Sequence, residues 1–313
     1  MTNNRRPNGG QAPTLRLGVS PLSWVNEVLE DLGKGTTATT CLVEAADAGY
    51  AGVELSRIFP RDAALLSGLL ARHNLQLISG WHSGFLTDRS VAEELDAVRT
   101  HAALLRDCGA SVMVYGECGC MAEAALDIPL DKRLHLAPEQ IARYGASLTQ
   151  FADAVANKYG LALAYHHHLM MVAETLNEIT AIMKASGPSV GLLLDTGHAA
   201  AAGFDYTQLI ERFGDRINHI HLKDVRKTVL AEVRARGWSF NQAVRAGLFT
   251  VPGDAGVDFN PLSRFIADGG YRGWLVVEAE QDPALAPPRQ TVERASHFVK
   301  EQIMKPARAL SGR

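Results

Sequence analysis

The sequence predicts an α/β protein built as a single (β/α)8 TIM barrel, and three observations lead to this prediction. Eight apolar, β-rich segments recur along the 313 residues and alternate with stretches of helical periodicity. Most of these segments are near-continuous apolar runs, which is typical of parallel strands covered by helices. No G-x-G-x-x-G motif follows any of them, which disfavours a doubly wound dinucleotide-binding sheet.

Local patterns place the individual elements. Strands are expected at residues 15–20, 51–55, 75–80, 110–115, 161–166, 190–195, 217–222 and 274–279. Between them, apolar residues repeat in steps of three and four, as on one face of a helix; one such run is Val91, Leu95, Val98, Ala102 and Leu105. Ser90 with Glu93, and Thr175 with Glu178, have the spacing of a capping box and predict helix starts.

One barrel is expected to take up almost the whole chain. We predict a flexible N-terminal tail at residues 1–13, the barrel at 14–305 and a C-terminal tail at 306–313. The first residues include arginines but no apolar core, unlike a signal peptide, and no stretch approaches the roughly 18 apolar residues of a membrane span. Four cysteines are far too few for a disulfide scaffold of this length. These features predict a cytoplasmic protein without a membrane partner.

The charge balance narrows the class of partner. Lys and Arg number 31 against 34 Asp and Glu, which gives a formal net charge of −3. Nucleic-acid-binding proteins usually have a basic excess, so no nucleic-acid partner is expected. A small, uncharged substrate suits this chain better. The sequence shows no subunit interface, so homo-oligomer formation stays open.

Histidines concentrate where a barrel has its active site. In this fold the catalytic residues lie at the carboxyl ends of the strands. Histidines scattered through a core would show no bias toward those ends. Seven of the eleven histidines fall at or near the predicted ends: His82, His166, His167, His168, His198, His219 and His221.

Carboxylates at the same strand ends indicate a metal site. Imidazole together with carboxylate suits a divalent transition metal such as Mn²⁺, Co²⁺ or Zn²⁺. Because inward positions of a strand differ by two, His166 and His168 share one face, and His167 is expected to point away. One ligand from each of strands five to eight would surround a single ion: a strand-five histidine, Asp195, His221 and Glu278.

Structural explanations also exist for most of these residues taken singly. Asp195 follows three leucines and has the character of a helix cap. His198 is compatible with a turn, and the histidine run with a solvated loop. Glu54 and Glu117 are compatible with charges on the rim, because most glutamates are exposed. Glu278 is harder to explain in this way, since an unpaired carboxylate within an apolar strand is costly.

Several longer motifs carry a family resemblance. They are D-T-G-H at 195–198, H-x-H-x-K-D-V-R at 219–226, V-P-G-D at 251–254 and V-V-E-A-E-Q-D-P at 276–283. Over roughly residues 15–300, the chain resembles the xylose-isomerase-like TIM barrels. The A-Y-H-H-H run at 164–168 and the W-S-F motif at 238–240 resemble, within them, the inosose dehydratase branch.

This resemblance implies a specific reaction. The chain would be a Mn²⁺- or Co²⁺-dependent lyase of inositol catabolism that removes water from scyllo-inosose (2-keto-myo-inositol). The product would be a trihydroxycyclohexane-1,2-dione. Zn²⁺ is a further candidate metal, and glutathione is a cofactor that only the resemblance suggests.

The resemblance also implies roles for individual residues. Asp195, His221 and Glu278 match the metal-binding positions of the superfamily. The wider superfamily has a glutamate ligand on strand five; here we infer that His166 replaces it, with His168 as the competing choice. The candidate acid and base groups, whose two roles stay unassigned, are Glu280, His198, His168 and Lys223. Contacts to substrate hydroxyls or the ring face are expected from Glu54, Arg57, Trp81, His82, Tyr115 and Glu117.

Three other functions are compatible with such a barrel. An isomerase or epimerase of a keto sugar or inosose would use the same metal site, with protonation replacing the loss of water. An abasic-site endonuclease would need several zinc ions and a DNA-binding surface, which the net charge of −3 disfavours. A polyol-binding protein without activity would be free to lose its inward charges, and this chain retains them.

Overall fold

A computed structural model describes residues 15–121 and 124–311 and shows one parallel sheet surrounded by helices. The order of strands in the sheet is β3-β2-β1-β11-β8-β7-β6-β5-β4. The predicted tail at 1–13 lies outside the described residues. The strands of the sheet are β1 (Arg16–Val19), β2 (Gly52–Val53), β3 (Gln76–Leu77), β4 (Trp81–Gly84), β5 (Val112–Glu117), β6 (Ala162–His166), β7 (Val190–Asp195), β8 (Ile217–Leu222) and β11 (Trp274–Val277).

The two ends of this sheet belong to one continuous piece of chain. β3 and β4 are separated only by residues 78–80, whose backbone bonds to strands on both sides. The Leu55 N–H donates to the Ser79 carbonyl at 2.9 Å, and the Val114 N–H donates to the Gly80 carbonyl at 3.0 Å. The nine segments are therefore eight strands closed into a barrel, which confirms the predicted (β/α)8 fold.

Helices connect successive strands and cover the outside of the barrel. The capping boxes predicted at Ser90 and Thr175 are both present. No helix in the described part of the chain is long and apolar enough to cross a membrane. The helices are α1 (Ala38–Asp47), α2 (Ala63–Ala71), α3 (Val91–Ala97), α4 (Arg99–Asp107), α5 (Pro138–Tyr159), α6 (Leu176–Ala185), α7 (Thr196–Ala201), α8 (Thr207–Phe213), α9 (Lys227–Arg236), α10 (Phe240–Arg245), α11 (Asn260–Ala267), α12 (Pro288–Phe298) and α13 (Lys305–Ser311).

Two local predictions differ from the structure. The helical run from Val91 to Leu105 is divided into α3 and α4, which meet at Val98. The stretch from residue 306, expected to be a tail, continues as α13 after a π-helix at Val299–Met304. Ala307 of α13 is buried against the main core, so this last segment is held by apolar contact rather than left free.

Apolar side chains fill the lower half of the barrel. Val112, Val114, Ala164 and Leu193 form one cluster inside the sheet. Ile78, Trp274 and Val276 form a second. Gly18 leaves space for this second cluster, because a Cβ at position 18 would lie 2.1 Å from Ile78 Cδ1. With this half closed, polar side chains are left for the carboxyl ends of the strands.

A second apolar core covers the carboxyl ends of the strands. The insert after β8 folds into a small antiparallel pair, β9 (Asp224–Val225) and β10 (Phe249–Thr250), together with α9 and α10. Its buried residues pack on Leu169 and Met170, which follow β6, and on Leu32, which follows β1. Loops from several strands thus meet over the barrel and shield its upper end from solvent.

A buried arginine connects the segment after β5 to the first turn of α6, and its pairing predicts acid sensitivity. Arg133 bonds both carboxylate oxygens of Glu178, at 2.7 and 2.8 Å. Burial raises the pKa of Glu178, but bonds from Arg133, the Thr175 N–H and His135 outweigh it and lower the pKa to about 2. Because the folded state lowers this pKa, the stabilisation is complete above the ordinary value of about 4.5 and disappears as the pH falls to about 2.

We therefore expect Glu178→Gln to lower the free energy of unfolding by about 2 kcal/mol at pH 7 and by much less near pH 2.5. Urea unfolding at both pH values measures the difference. Glu211→Gln, at an exposed position of α8, is the control and should leave stability almost unchanged at either pH. A loss that is equal at both pH values would contradict the ion-pair explanation.

Candidate metal centre and active site

The carboxyl ends of the strands surround a cavity of about 570 Å³. Its wall combines side chains of the strand ends with others from the insert after β8. The strand-end contributors include Trp81, His166, His168, His221, Glu278 and Glu280, and α10 adds Phe240 and Asn241. The cavity therefore lies where an active site is expected in this fold.

The residues predicted as metal ligands lie close together at one side of this cavity. His166, Asp195 and Glu278 have ligand atoms within 4.8 Å of one another, in a group that also includes His198, and His221 lies beside Asp195 and Glu278. His166 Nε2 and His221 Nδ1 each lie 3.6 Å from Asp195 Oδ2. His221 Nδ1 lies 3.0 Å from Glu278 Oε2. Donor atoms around a tetrahedral zinc ion with bonds of about 2.1 Å stand roughly 3.4 Å apart, so these spacings suit a shared ion. The neighbouring strands β6, β7 and β8 supply His166, Asp195 and His221, and Glu278 directly follows the next strand, β11.

The hydrogen bonding of these side chains leaves ligand atoms available for a metal ion. His166 Nδ1–H donates to the His167 carbonyl at 2.6 Å, which leaves the Nε2 lone pair available. Asp195 Oδ2 and His221 Nδ1 are buried and have no partner with good hydrogen-bond geometry, although Lys223 Nζ lies 3.5 Å from the former and Glu278 Oε2 lies 3.0 Å from the latter. Buried polar atoms seldom remain unpaired. Two imidazoles, two carboxylates and these unpaired atoms fit a divalent transition-metal ion.

Asp195 has a structural task as well as a place in this set. Its Oδ1 accepts the His198 N–H at 2.8 Å and caps the start of α7, as the sequence alternative proposed. Its Oδ2 faces His166 and His221. The two interpretations of Asp195 are therefore compatible, because the helix cap fixes the carboxylate through one oxygen and turns the other toward the two imidazoles and the Lys223 ammonium, which is 3.5 Å away.

The structure separates the three consecutive histidines. His166 faces Asp195, whereas His168 Nε2 lies 3.6 Å from Glu280 Oε1. His167 does not line the cavity; its Nε2 accepts the Asp195 N–H at 3.2 Å, and its ring packs near Phe204. Strand alternation explains this division, and His166 is the histidine that joins the three matched ligand positions.

A buried lysine links this set to a second group of ionisable residues. Lys223 Nζ lies 2.5 Å from Glu278 Oε1, 2.9 Å from Glu280 Oε2 and 3.0 Å from His198 Nε2. Burial lowers the pKa of Lys223, but Asp195, Glu278 and Glu280 outweigh it and raise the pKa. Burial raises the pKa of Glu280, but Lys223 and His168 outweigh it and lower the pKa to about 2. Lys223 and Glu280 are therefore a charged pair.

The four candidate acid and base groups fall into two layers. His168 and Glu280 line the cavity, whereas His198 and Lys223 are fully buried behind them. Burial, with His168 and Lys223 nearby, holds the pKa of His198 well below its usual range, so this imidazole is neutral. Groups in direct reach of a bound molecule are therefore His168 and Glu280.

Among the predicted substrate contacts, Trp81 lies on the cavity wall. Its side chain is 38% exposed, and its ring centroid is 5.5 Å from that of His166. The indole Nε1–H donates to Ser83 Oγ at 2.9 Å. Gly116 gives the indole its space, because a Cβ at this position would lie 2.1 Å from the ring. The position of Trp81 is thus fixed by the strands beside it.

Three predicted contacts point away from the cavity. His82 Nε2 bonds Glu94 Oε1 of α3 at 2.6 Å. The Tyr115 hydroxyl donates to Glu117 Oε2 at 2.7 Å, and Glu117 also accepts the Gly119 N–H at 2.8 Å. These residues brace the outer side of the sheet and the loop after β5. The prediction was wrong because it used nearness to a strand end and ignored alternation.

Arg57 and Glu54 also have tasks other than the expected ones. Arg57 Nε donates to the Asn26 carbonyl at 2.9 Å, and the side chain does not line the cavity. Glu54 does line it, but Glu54 Oε1 accepts hydrogen bonds from His219 and His221 at 2.9 and 3.1 Å. Arg57 thus fixes the loop after β1, and Glu54 fixes the imidazole rings of His219 and His221.

The residues of α10 that cover the site were not predicted from the sequence. Phe240 lies with its ring centroid 5.2 Å from that of His168, and Asn241 lines the cavity beside it. Ser239 and Gln242 have the spacing of a capping box and mark the start of α10, so the helix itself was detectable. Its position over the cavity was not, because that depends on how the long insert folds back.

The geometry predicts that Glu278 is needed for metal binding. We expect Glu278→Gln to raise the dissociation constant for Zn²⁺ by at least about 100-fold, because even outer-shell changes cost 10- to 100-fold. Competition with a zinc-binding dye measures it. Glu117→Gln removes a buried carboxylate outside the cavity and should bind like the unaltered chain. Unchanged affinity in Glu278→Gln would contradict the assigned set.

Comparison with known proteins agrees with this architecture. Residues 42–302 match the sequence family described as "Xylose isomerase-like TIM barrel". The "Rhizopine catabolism protein MocC" of Rhizobium meliloti is 43% identical over 275 residues, which are 88% of this chain and 84% of that protein. The "Inosose dehydratase" of Geobacillus thermodenitrificans is 38% identical over 289 residues, 92% of this chain and 97% of that protein.

Solved structures show the same fold. The crystal structure described as "IOLI protein with a binding zinc atom" superposes with a TM-score of 0.65 at 15% identity and covers 95% of this chain and 98% of that chain. At this identity the likeness speaks for the fold alone. The family match, in contrast, extends over most of the chain and includes the strands that supply the metal-facing residues. The chain belongs to the xylose isomerase-like TIM barrel family.

Proposed function

We propose that this protein is a divalent-metal-dependent hydro-lyase that removes water from 2-keto-myo-inositol (scyllo-inosose) and forms a trihydroxycyclohexane-1,2-dione. The observation that carries the proposal is a metal-facing set with a proton-transfer pair beside it. His168 and Glu280 lie two residues beyond His166 and Glu278, just past the ends of β6 and β11, and both line the cavity. The 38% identity to an inosose dehydratase supports the choice of reaction.

The metal ion would be held by His166, Asp195, His221 and Glu278. When bound, such an ion supplies Lewis acidity toward the ketone oxygen, which makes the neighbouring C–H more acidic. Mn²⁺, Co²⁺ and Zn²⁺ all accept this mixed nitrogen and oxygen set. These ligands leave the rest of the cavity free for the substrate ring.

His168 has the geometry of the proton-transfer group. Its Nδ1–H donates to the Leu169 carbonyl at 2.6 Å, so the Nε2 lone pair points to the cavity side. This nitrogen takes the proton from the carbon next to the ketone. Glu280 Oε1, at 3.6 Å, stabilises the imidazolium that results.

The elimination then balances without a further reactant. The electron pair of the broken C–H bond forms a carbon–carbon double bond, and the β-hydroxyl leaves. The proton on His168 goes to this hydroxyl, so that one water molecule is lost. The enol that remains becomes the 1,2-dione by moving its proton to carbon.

Lys223 and His198 act from behind this pair. The Lys223 ammonium keeps Glu280 ionised, which makes Glu280 a weak base but a good partner for an imidazolium. His198 Nδ1 accepts the Leu169 N–H at 3.3 Å and so helps to hold the loop that orients His168. We therefore assign positioning roles to both.

The remaining wall suits an uncharged ring. Trp81 and Phe240 give apolar surface on two sides of His168, with ring centroids 6.2 and 5.2 Å away. Apolar walls exclude water from the reacting atoms and strengthen the electrostatic effects there. Asn241 adds a polar group for a hydroxyl.

The reaction is tested directly by incubating the metal-loaded protein with scyllo-inosose. We expect the absorbance of the conjugated dione product to rise. Mass spectrometry should show a product lighter than the substrate by one water molecule. Glu278→Gln is the matched control and should form no product. Formation of an isomer of the same mass would overturn the dehydratase proposal in favour of an isomerase or epimerase.

The role of His168 is tested by His168→Asn. We expect kcat for dehydration to fall by about 10²- to 10⁴-fold, which is the usual contribution of a general acid–base group. Metal affinity should stay unchanged, because His168 is not among the four ligands. His82→Asn, which alters a histidine outside the cavity, is the control. A kcat near that of the unaltered chain would assign proton transfer to another group.

A further inference from the structure

Glu54 occupies an unusual position for a carboxylate at the cavity. It follows β2, three places from β8 in the order of strands, yet it is the hydrogen-bond partner of a predicted metal ligand on β8. His221 Nε2 lies 3.1 Å from Glu54 Oε1. Because a carboxylate can only accept, the imidazole donates its Nε2–H in this bond.

This bond decides which nitrogen of His221 is available to a metal. With the Nε2 proton held by Glu54, Nδ1 is the nitrogen of His221 that is left for a metal ion. Nδ1 is the atom that faces Asp195 Oδ2 and Glu278 Oε2, at 3.6 and 3.0 Å. Without an acceptor at Nε2, the proton is free to move to Nδ1, where it would block coordination. Outer carboxylates commonly set ligand histidines in this way.

The carboxylate of Glu54 is itself held in place. Ser79 Oγ donates to the same Oε1 at 2.6 Å, and His219 Nε2 donates to it at 2.9 Å. Three donors from different parts of the barrel therefore converge on one oxygen. Burial raises the pKa of Glu54, but His221 and His219 outweigh it and lower the pKa well below its usual range.

From this arrangement we propose that Glu54 is a positioning residue of the metal centre, which fixes the tautomer and ring orientation of His221. The inference rests on the metal site of the proposed function, and it replaces the substrate contact expected from the sequence. Ser79 and His219 complete the support, because they hold the carboxylate against the Nε2–H.

The test compares metal binding in two variants of different severity. Glu54→Met removes the acceptor, and Glu54→Gln keeps a neutral one. We expect the dissociation constant for Zn²⁺ to rise by about 10- to 100-fold in Glu54→Met and by less in Glu54→Gln. In NMR spectra of the zinc-loaded protein, the low-field signal of the His221 Nε2–H should be present in the unaltered chain and absent in Glu54→Met.

Glu94→Gln is the matched control. It alters a fully buried glutamate that also bonds a histidine, His82, outside the cavity. It should lower thermal stability as Glu54→Gln does but leave zinc affinity within about twofold. The Gln variants keep the side-chain volume, so they test the proposal even if Glu54→Met does not fold.

Three outcomes would overturn the inference. Equal zinc affinity in the Glu54 variants and the unaltered chain would reduce Glu54 to a structural residue, while the proposed function would stand. Two zinc ions per chain would make Glu54 a ligand in its own right. Failure of the unaltered chain to bind any divalent ion would remove both this inference and the proposed function, so the two failures are distinguishable.

Discussion

The rest of the site depends on how the barrel neutralises the carboxylates that it buries away from water. Asp195, Glu278 and Glu280 surround the Lys223 ammonium, and all four side chains are buried. Desolvated charges are costly unless they are paired, and here the carboxylates outnumber the lysine. Glu54 adds a further buried carboxylate nearby. A divalent cation bound here would offset this excess of negative charge and so stabilise the site.

The barrel keeps these charges apart from its apolar parts by layering. Ile78 and Trp274 fill the lower interior, so that polar side chains occupy only the upper turn of the strands. Above them, the insert after β8 packs on the loops after β1 and β6. Low local dielectric strengthens every interaction in the enclosed layer, including those proposed for proton transfer. The apolar residues below the site and the insert after β8 above it thus both keep water away from the charged layer between them.

Sequence patterns located the strands and the metal-facing residues well, because both leave local signals. A charged residue at the end of an apolar run, as at Asp195 and Glu278, is conspicuous on its own. His82 and Tyr115 also stand near strand ends, yet they face the helices. For His82, the short, interrupted strand around residues 76–84 gave no regular alternation to follow. Tyr115 lies on β5, where the alternation was regular but was not applied.

By itself, the sequence determined the eight-stranded barrel, the carboxyl-end location of the site and three residues that meet there, Asp195, His221 and Glu278; it left the strand-five histidine open. These follow from periodicity within single elements, which is a local property. Only the tertiary structure decided that His166 faces Asp195 while His168 faces Glu280, and that Glu54 bonds His221 from 167 residues away. Such pairings depend on barrel closure and strand stagger, which bring distant segments together at distances that no local pattern encodes.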